Sequence, residues 1–292
     1  MADERDNKVN LRKDASSRLS SDHDLKPRHV KGASASLSKR GLRRVLTVAL
    51  VVLVAVVVCV AGFLIWQTIE MQNASNRSVN TPVPATTNSA EQGELPDNPI
   101  NFAELQSENE DTYAWIYIPG TSINLAVYQS STDDTYYLKH DRYGNYADAG
   151  EVFSQSINGR DFFDPVTVLY GHNYSGDIMF TQLHYFEDKE FFDTHENFYI
   201  YTPGHILTYE VVSAYQYDDR HIMNSFDFSD DAVKRSYFDY VMNPDSLVRN
   251  VREGAMLADD DKIVQLSTCT SDGNNSKRYI VTGVLVDDQL TK

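Results

Sequence analysis

KIVQLSTCT occupies residues 262–270, and KRYIVTGVLVDD occupies 277–288. In the first, Ile263, Val264 and Leu266 form an apolar run that ends in Ser267, Thr268, Cys269 and Thr270. In the second, Arg278 opens another apolar run nine residues after the cysteine. Both runs carry the β-branched and aliphatic residues of strands, joined by a polar loop that contains Asp272-Gly273-Asn274-Asn275, a turn composition. A cysteine at one strand end and an arginine at the start of the next put a potential thiolate beside a fixed positive charge, which makes a nucleophile. By residue type alone Cys269 reads equally well as a small buried hydrophobe.

Composition divides the rest of the chain near residue 66. Residues 1–44 carry 12 Lys and Arg against 6 Asp and Glu, whereas 67–292 carry 14 against 36, so the halves are net +6 and −22. Between them, Val45 to Trp66 is a run of 22 residues with no charge and only Thr47 as a polar member. That length crosses a hydrocarbon core of roughly 30 Å as a helix. Lys39, Arg40, Arg43 and Arg44 directly precede it, which by the positive-inside bias puts the N-terminus in the cytoplasm and the acidic part outside. The expected organisation is a disordered cytoplasmic tail (1–44), a transmembrane helix (45–66), a flexible extracellular stalk rich in Asn, Ser, Thr and Pro (67–98) and a folded domain (99–292). Under this topology Cys269 is the one thiol outside the membrane. No disulfide can protect it there, and that favours a chemical role. The strong acidity argues against nucleic acid as a partner.

Within 99–292 the pattern predicts eight short strands: Trp115–Ile118, Asn124–Tyr128, Glu151–Phe153, Val166–Tyr170, Phe198–Tyr201, Leu207–Tyr217, Lys262–Ser267 and Tyr279–Val286. Most connections are too short for βαβ crossovers, so a mainly antiparallel barrel or sandwich is expected. A helix at Phe102–Glu108, capped by Asn101, precedes them. An insertion between Asp218 and Asp261 holds a second helix, Asp230–Met242, with Ser229 as its cap, and Ser246–Glu253 as a candidate third.

Six histidines follow residue 98. His172 stands apart because it follows the strand Val166–Tyr170 and Gly171, at a strand end; His184, His195 and His205 fall in polar connections and His221 just before the insertion. Spacing alone does not pair any of them with Cys269. The acids Asp133–Asp134 and Asp259–Asp261 read as solvated turns, and no HxxH or CxxC spacing suggests a metal.

Tyr170-Gly171-His172-Asn173 after one strand, Leu266-Ser267-Thr268-Cys269 ending another and Arg278 opening the next together resemble the sortases, cysteine transpeptidases of Gram-positive cell surfaces. The leading helix, the helical insertion before the cysteine strand and Gly176-Asp177-Ile178-Met179-Phe180 resemble class B. The resemblance implies an eight-stranded sortase-type β-barrel with added helices and no cofactor or metal. It implies Cys269 as nucleophile, His172 as general acid and base and Arg278 as oxyanion-stabilising cation, with Asn173, Ser267 and Thr268 as substrate contacts. The implied substrates are secreted proteins with a C-terminal sorting motif of Asn-Pro-x-Thr type, joined through a thioacyl enzyme to a peptidoglycan amine. A pilin lysine as acceptor, a cell-wall hydrolase using the same Cys and His, and an anchored binding module with a structural cysteine remain the alternatives.

Overall fold

The computed structural model describes residues 39–75, 95–271 and 276–292. The expected tail before residue 39, most of the stalk and the turn at 272–275 lie outside the described residues. Helix α1 (Lys39–Ser75) contains the apolar stretch Leu46–Ile69, with mean hydropathy 3.3, whose side chains lie open along the helix. It is long and apolar enough to span a bilayer. The helix runs past the apolar stretch, so 67–75, expected to begin a flexible stalk, are helical.

The folded domain opens with α2 (Phe102–Glu108), where the Asn101 side chain accepts from the Glu104 N–H at 3.2 Å and its amide returns a bond to the Glu104 carboxylate. The cap satisfies one of the backbone donors that the first helical turn leaves open, and the side-chain bond holds the capping asparagine in place. Eleven strands follow among the described residues: β1 (Thr112–Tyr117), β2 (Asn124–Tyr128), β3 (Val152–Phe153), β4 (Val166–Tyr170), β5 (Asn173–Tyr174), β6 (Ile178–Met179), β7 (Asn197–Thr202), β8 (His205–Asp218), β9 (Arg249–Val251), β10 (Ile263–Cys269) and β11 (Lys277–Leu290). Helix α3 (Lys189–Thr194) lies between β6 and β7, and α4 (Ile222–Ser225) and α5 (Asp231–Met242) fill the insertion after β8.

The strands pair in the order β11-β10-β4-β3-β2-β1-β7-β8, and β8 pairs again with β11, closing an eight-stranded barrel. These are the eight strands that the hydrophobic pattern predicts. Two pairings are parallel, β2–β3 and β4–β10, and the second decides where the site forms. Closure removes the sheet edges, and the short β9 extends the pairing of β8 beyond β7. The barrel interior holds Ile116, Val127, Leu169, Phe198, Ile200, Val264, Leu266 and Val281. A second core lies on the outer face, where Tyr237, Phe238 and Val241 of α5 pack against Val166, Val168, Tyr215, Ile263 and Ile280.

Two details of the insertion differ from expectation. The cap of α5 is Asp230, whose carboxylate accepts from the N–H groups of Ala232 and Val233. Ser229 instead donates its hydroxyl to Asp227. A negative acceptor at a helix N-terminus meets the positive end of the macrodipole, and a serine does not. Ser246–Glu253 is not a helix: Arg249–Val251 forms β9 against Ser213–Tyr215, where open pairing groups of β8 outweigh weak helical propensity.

Candidate active site

The site is built where β4, β10 and β11 end side by side. In the antiparallel β10–β11 pair, Cys269 stands directly opposite Arg278. Directly opposed residues point to the same face with Cβ atoms about 4.5–5.5 Å apart, so thiol and guanidinium share one surface. In the parallel β4–β10 pair, Tyr170 is in register with Ser267, and the Gly171 N–H continues the ladder to the Ser267 carbonyl at 3.1 Å. The next residue, His172, therefore emerges beside the end of β10, although 97 residues separate it from Cys269. Gly171 is required by space: a Cβ there would lie 2.6 Å from Cγ of Phe180, a fully buried ring.

His172, Cys269 and Arg278 line one cleft of about 240 Å³. Tyr170 and Ser267 line it too, as do Asp218 to Ile222 from the end of β8 and the start of the insertion. The cysteine is partly accessible. The His172 Nε2 lies 2.8 Å from the Leu138 carbonyl oxygen. A carbonyl can only accept, so Nε2 carries the proton and Nδ1 is left to take up or give one. Burial lowers the His172 pKa below the ordinary value of 6.5, opposed by the Leu138 hydrogen bond. Burial pushes the Tyr170 hydroxyl up to about 12, tempered by the positive charge of Arg278. Its ring packs on Phe153 at 5.5 Å.

The expected contacts fall into two groups. Ser267 faces the same side as Cys269, by the alternation of a strand. Thr268 points the other way, beside its cross-strand neighbour Tyr279, and its hydroxyl is buried with no hydrogen-bond partner among the described residues. It therefore borders the cleft through its backbone. Asn173 is not among the cleft-lining residues; its amide instead lies 3.3 Å from the Cys269 carbonyl oxygen, behind the cysteine.

Two histidines placed by sequence in connecting segments border the site. His221 caps α4, with Nδ1 accepting from the Asn224 N–H at 3.1 Å and Nε2 donating to Gln155 Oε1. His184, on the 3-10 helix Thr181–Glu187, reaches the Cys269 carbonyl from the barrel side. No sequence signal marks either, since both depend on how distant segments pack. Among the described residues no group of three His, Cys, Asp or Glu side chains is placed to hold a metal ion. Asp259 pairs with Arg235 at 3.1 Å, Asp261 accepts from the Ala258 N–H and Asp133 from Thr135.

The comparisons with known proteins agree with this architecture. The Sortase domain family model matches residues 116–286. The chain is 30% identical over 217 residues to sortase B of Listeria monocytogenes, covering 72% of this chain and 82% of that protein. Sortase B of Clostridium perfringens superposes with a TM-score of 0.57 at 29% identity, over 64% of this chain and all of that one. Sortase B of Bacillus anthracis does so with a TM-score of 0.60 at 27% identity, over 76% of this chain and 96% of that one. A closed eight-stranded barrel, a cysteine facing an arginine across its last hairpin and these matches lead to one conclusion: the chain belongs to the sortase family of cysteine transpeptidases, in class B.

Proposed function

We propose that this chain is a membrane-anchored sortase that cleaves an Asn-Pro-x-Thr type sorting motif in secreted proteins and joins them to a peptidoglycan amine. The observation that carries the reading is the meeting of Cys269, His172 and Arg278 in one cleft of a class B sortase barrel. The Cys269 thiolate attacks the threonine carbonyl carbon, and the carbonyl electron pair moves to oxygen. Arg278 stabilises that oxyanion. Collapse breaks the C–N bond, with the protonated His172 giving its proton to the leaving amine, and a thioester to Cys269 remains. An incoming amine then attacks the thioester carbon, His172 takes its proton, and collapse breaks the C–S bond to release the Cys269 thiolate. Ser267 lies beside the nucleophile on the same strand face and is the nearest expected substrate contact in the cleft. Helix α1, with the basic cluster at its start, supports a single crossing with the catalytic domain outside.

The test is mass spectrometry of the full chain in detergent with a peptide carrying the motif. The expected result is an acyl adduct on Cys269 that is absent in Cys269→Ala, with the variant still folded by circular dichroism. No adduct on the folded wild type would overturn the reading. With adduct formed, a peptidoglycan-type amine should accelerate its turnover. Acceleration by a pilin lysine instead would move the acceptor assignment, and turnover by water alone would make the enzyme a hydrolase.

A further inference from the structure

The closed side of β10 holds a polar network that the transpeptidation scheme does not use. His184 Nε2 lies 2.9 Å from the Cys269 carbonyl oxygen, and His184 Nδ1 lies 2.7 Å from Glu187 Oε1. The ring is largely buried, stacked on Tyr279 with centroids 4.9 Å apart. Asn173 completes the network, its amide nitrogen 3.3 Å from the same carbonyl and 3.4 Å from Ser271 Oγ.

Both close partners of the ring are acceptors: a carbonyl and a carboxylate accept only, so an imidazolium, donating from each nitrogen, is the form that matches them. A neutral ring would set a lone pair against an oxygen at one of these two short distances. The two Asn173 N–H groups are then taken up by the Cys269 carbonyl and Ser271, and its 3.2 Å approach to His184 Nε2 is a contact between neighbours on one acceptor. Reversing the amide would aim its oxygen at the Cys269 carbonyl oxygen. The groups facing the ring from each packed element are Glu187 on its own helix, Tyr279 on β11, the Cys269 carbonyl on β10 and the Asn173 amide on β5. Burial raises the Tyr279 hydroxyl above the ordinary tyrosine range, so it adds no negative charge.

We propose that His184, held as an imidazolium by Glu187, is a positioning residue for Cys269: it clamps the cysteine's carbonyl and favours negative charge on its sulfur from behind the strand. The proposal rests on Cys269 being the nucleophile. Arg278 supplies a cation on the open face, where substrate must also fit. His184 supplies one on the closed face, where nothing displaces it. A charge within several ångströms of the sulfur across partly buried protein shifts thiol reactivity by about half to one pH unit.

The experiment measures iodoacetamide alkylation of Cys269 against pH in the full chain, read by mass spectrometry on the Cys269 peptide so that Cys59 does not contribute. His184→Gln keeps a donor for the carbonyl and removes the charge. It should displace the alkylation curve toward higher pH by about half to one unit and lower kcat at neutral pH about 5–10-fold, with KM for the peptide unchanged. Glu187→Gln, at a partly exposed carboxylate, should displace the curve in the same direction and serves if His184→Gln does not fold. A His184→Gln curve that superimposes on wild type, with activity lost only in His184→Ala together with thermal stability, would make the role structural and overturn the proposal. Unchanged alkylation and kcat in all three variants would overturn it too. Alkylation needs no peptide, so a displaced curve without any acyl adduct would sink the transpeptidase reading while leaving this one standing.

Discussion

The two sides of the β10 terminus are built from alternate residues of one strand and serve opposite ends. On the open side, Ser267 and Cys269 face a cleft shared with His172, Arg278 and the first residues of the insertion. On the closed side, Leu266 and Thr268 face the barrel, where Leu266 joins the main core and the Thr268 hydroxyl has no partner among the described residues. Alternation at a period of two lets a single strand end be accessible for chemistry and rigid from behind. The Cys269 carbonyl, held by His184 and Asn173, is the join between the two sides.

By that division, substitutions on the open side should cost turnover at little cost in stability, whereas a closed-side change that leaves the hold on the Cys269 carbonyl intact should leave turnover nearly unchanged. The largest effect is expected for His172→Ala, which removes the proposed proton carrier and should lower kcat/KM by about 10²–10⁴ with the melting temperature nearly unchanged. A smaller loss, on the order of 10²–10³, is expected for Arg278→Ala in acyl-adduct kinetics. Arg278→Lys should recover part of it, because an ammonium keeps the charge without the planar fork. A Lys variant no better than Ala would show that geometry, not charge, is what the open face needs from this position.

Thr268→Val tests the closed side. It replaces a buried, unpaired hydroxyl by a methyl group of similar shape, which should leave kcat/KM within about twofold and be neutral to stabilising by about 1 kcal/mol. A tenfold loss of activity in that variant would break the comparison, since it would make the threonine side chain part of the substrate site.

The smallest effect is in the pH dependence of stability. His172 has its pKa lowered in the folded state by burial, so between that value and 6.5 the unfolded chain binds more protons than the folded one. Its contribution therefore makes the domain less stable as pH falls below about 6.5, and leaves stability unaffected well above it. Denaturant titrations at several pH values should show a shallower acid decline in His172→Gln than in wild type. An unchanged decline would place the acid sensitivity elsewhere.

How much of this was legible beforehand differs element by element. The eight barrel strands are readable because each carries a run of β-branched or aromatic residues bounded by turn residues. The two-residue β3 is legible through its apolar pair Val152 and Phe153, whereas β5, β6 and β9 are not, since each is short, carries a polar residue or follows a turn, and is defined only by its partner. The exchange of Ser229 for Asp230 as the α5 cap is a one-residue ambiguity between two good cap types, settled by which carboxylate reaches the first N–H groups. His184 and His221 gave no signal, because neither lies in a motif and both acquire partners from segments far away in sequence.

By itself the amino-acid order determines the long apolar helix, the acidic folded domain, the eight barrel strands and the Cys269–Arg278 pair. The last is local: one short hairpin joins the two residues, and antiparallel pairing then sets them opposite each other. The tertiary structure alone decides that His172 joins them. That meeting depends on the parallel register of β4 with β10, a contact across 97 residues. Register between distant strands is set by how the whole barrel closes and buries its alternate faces, and no local preference of either strand encodes it.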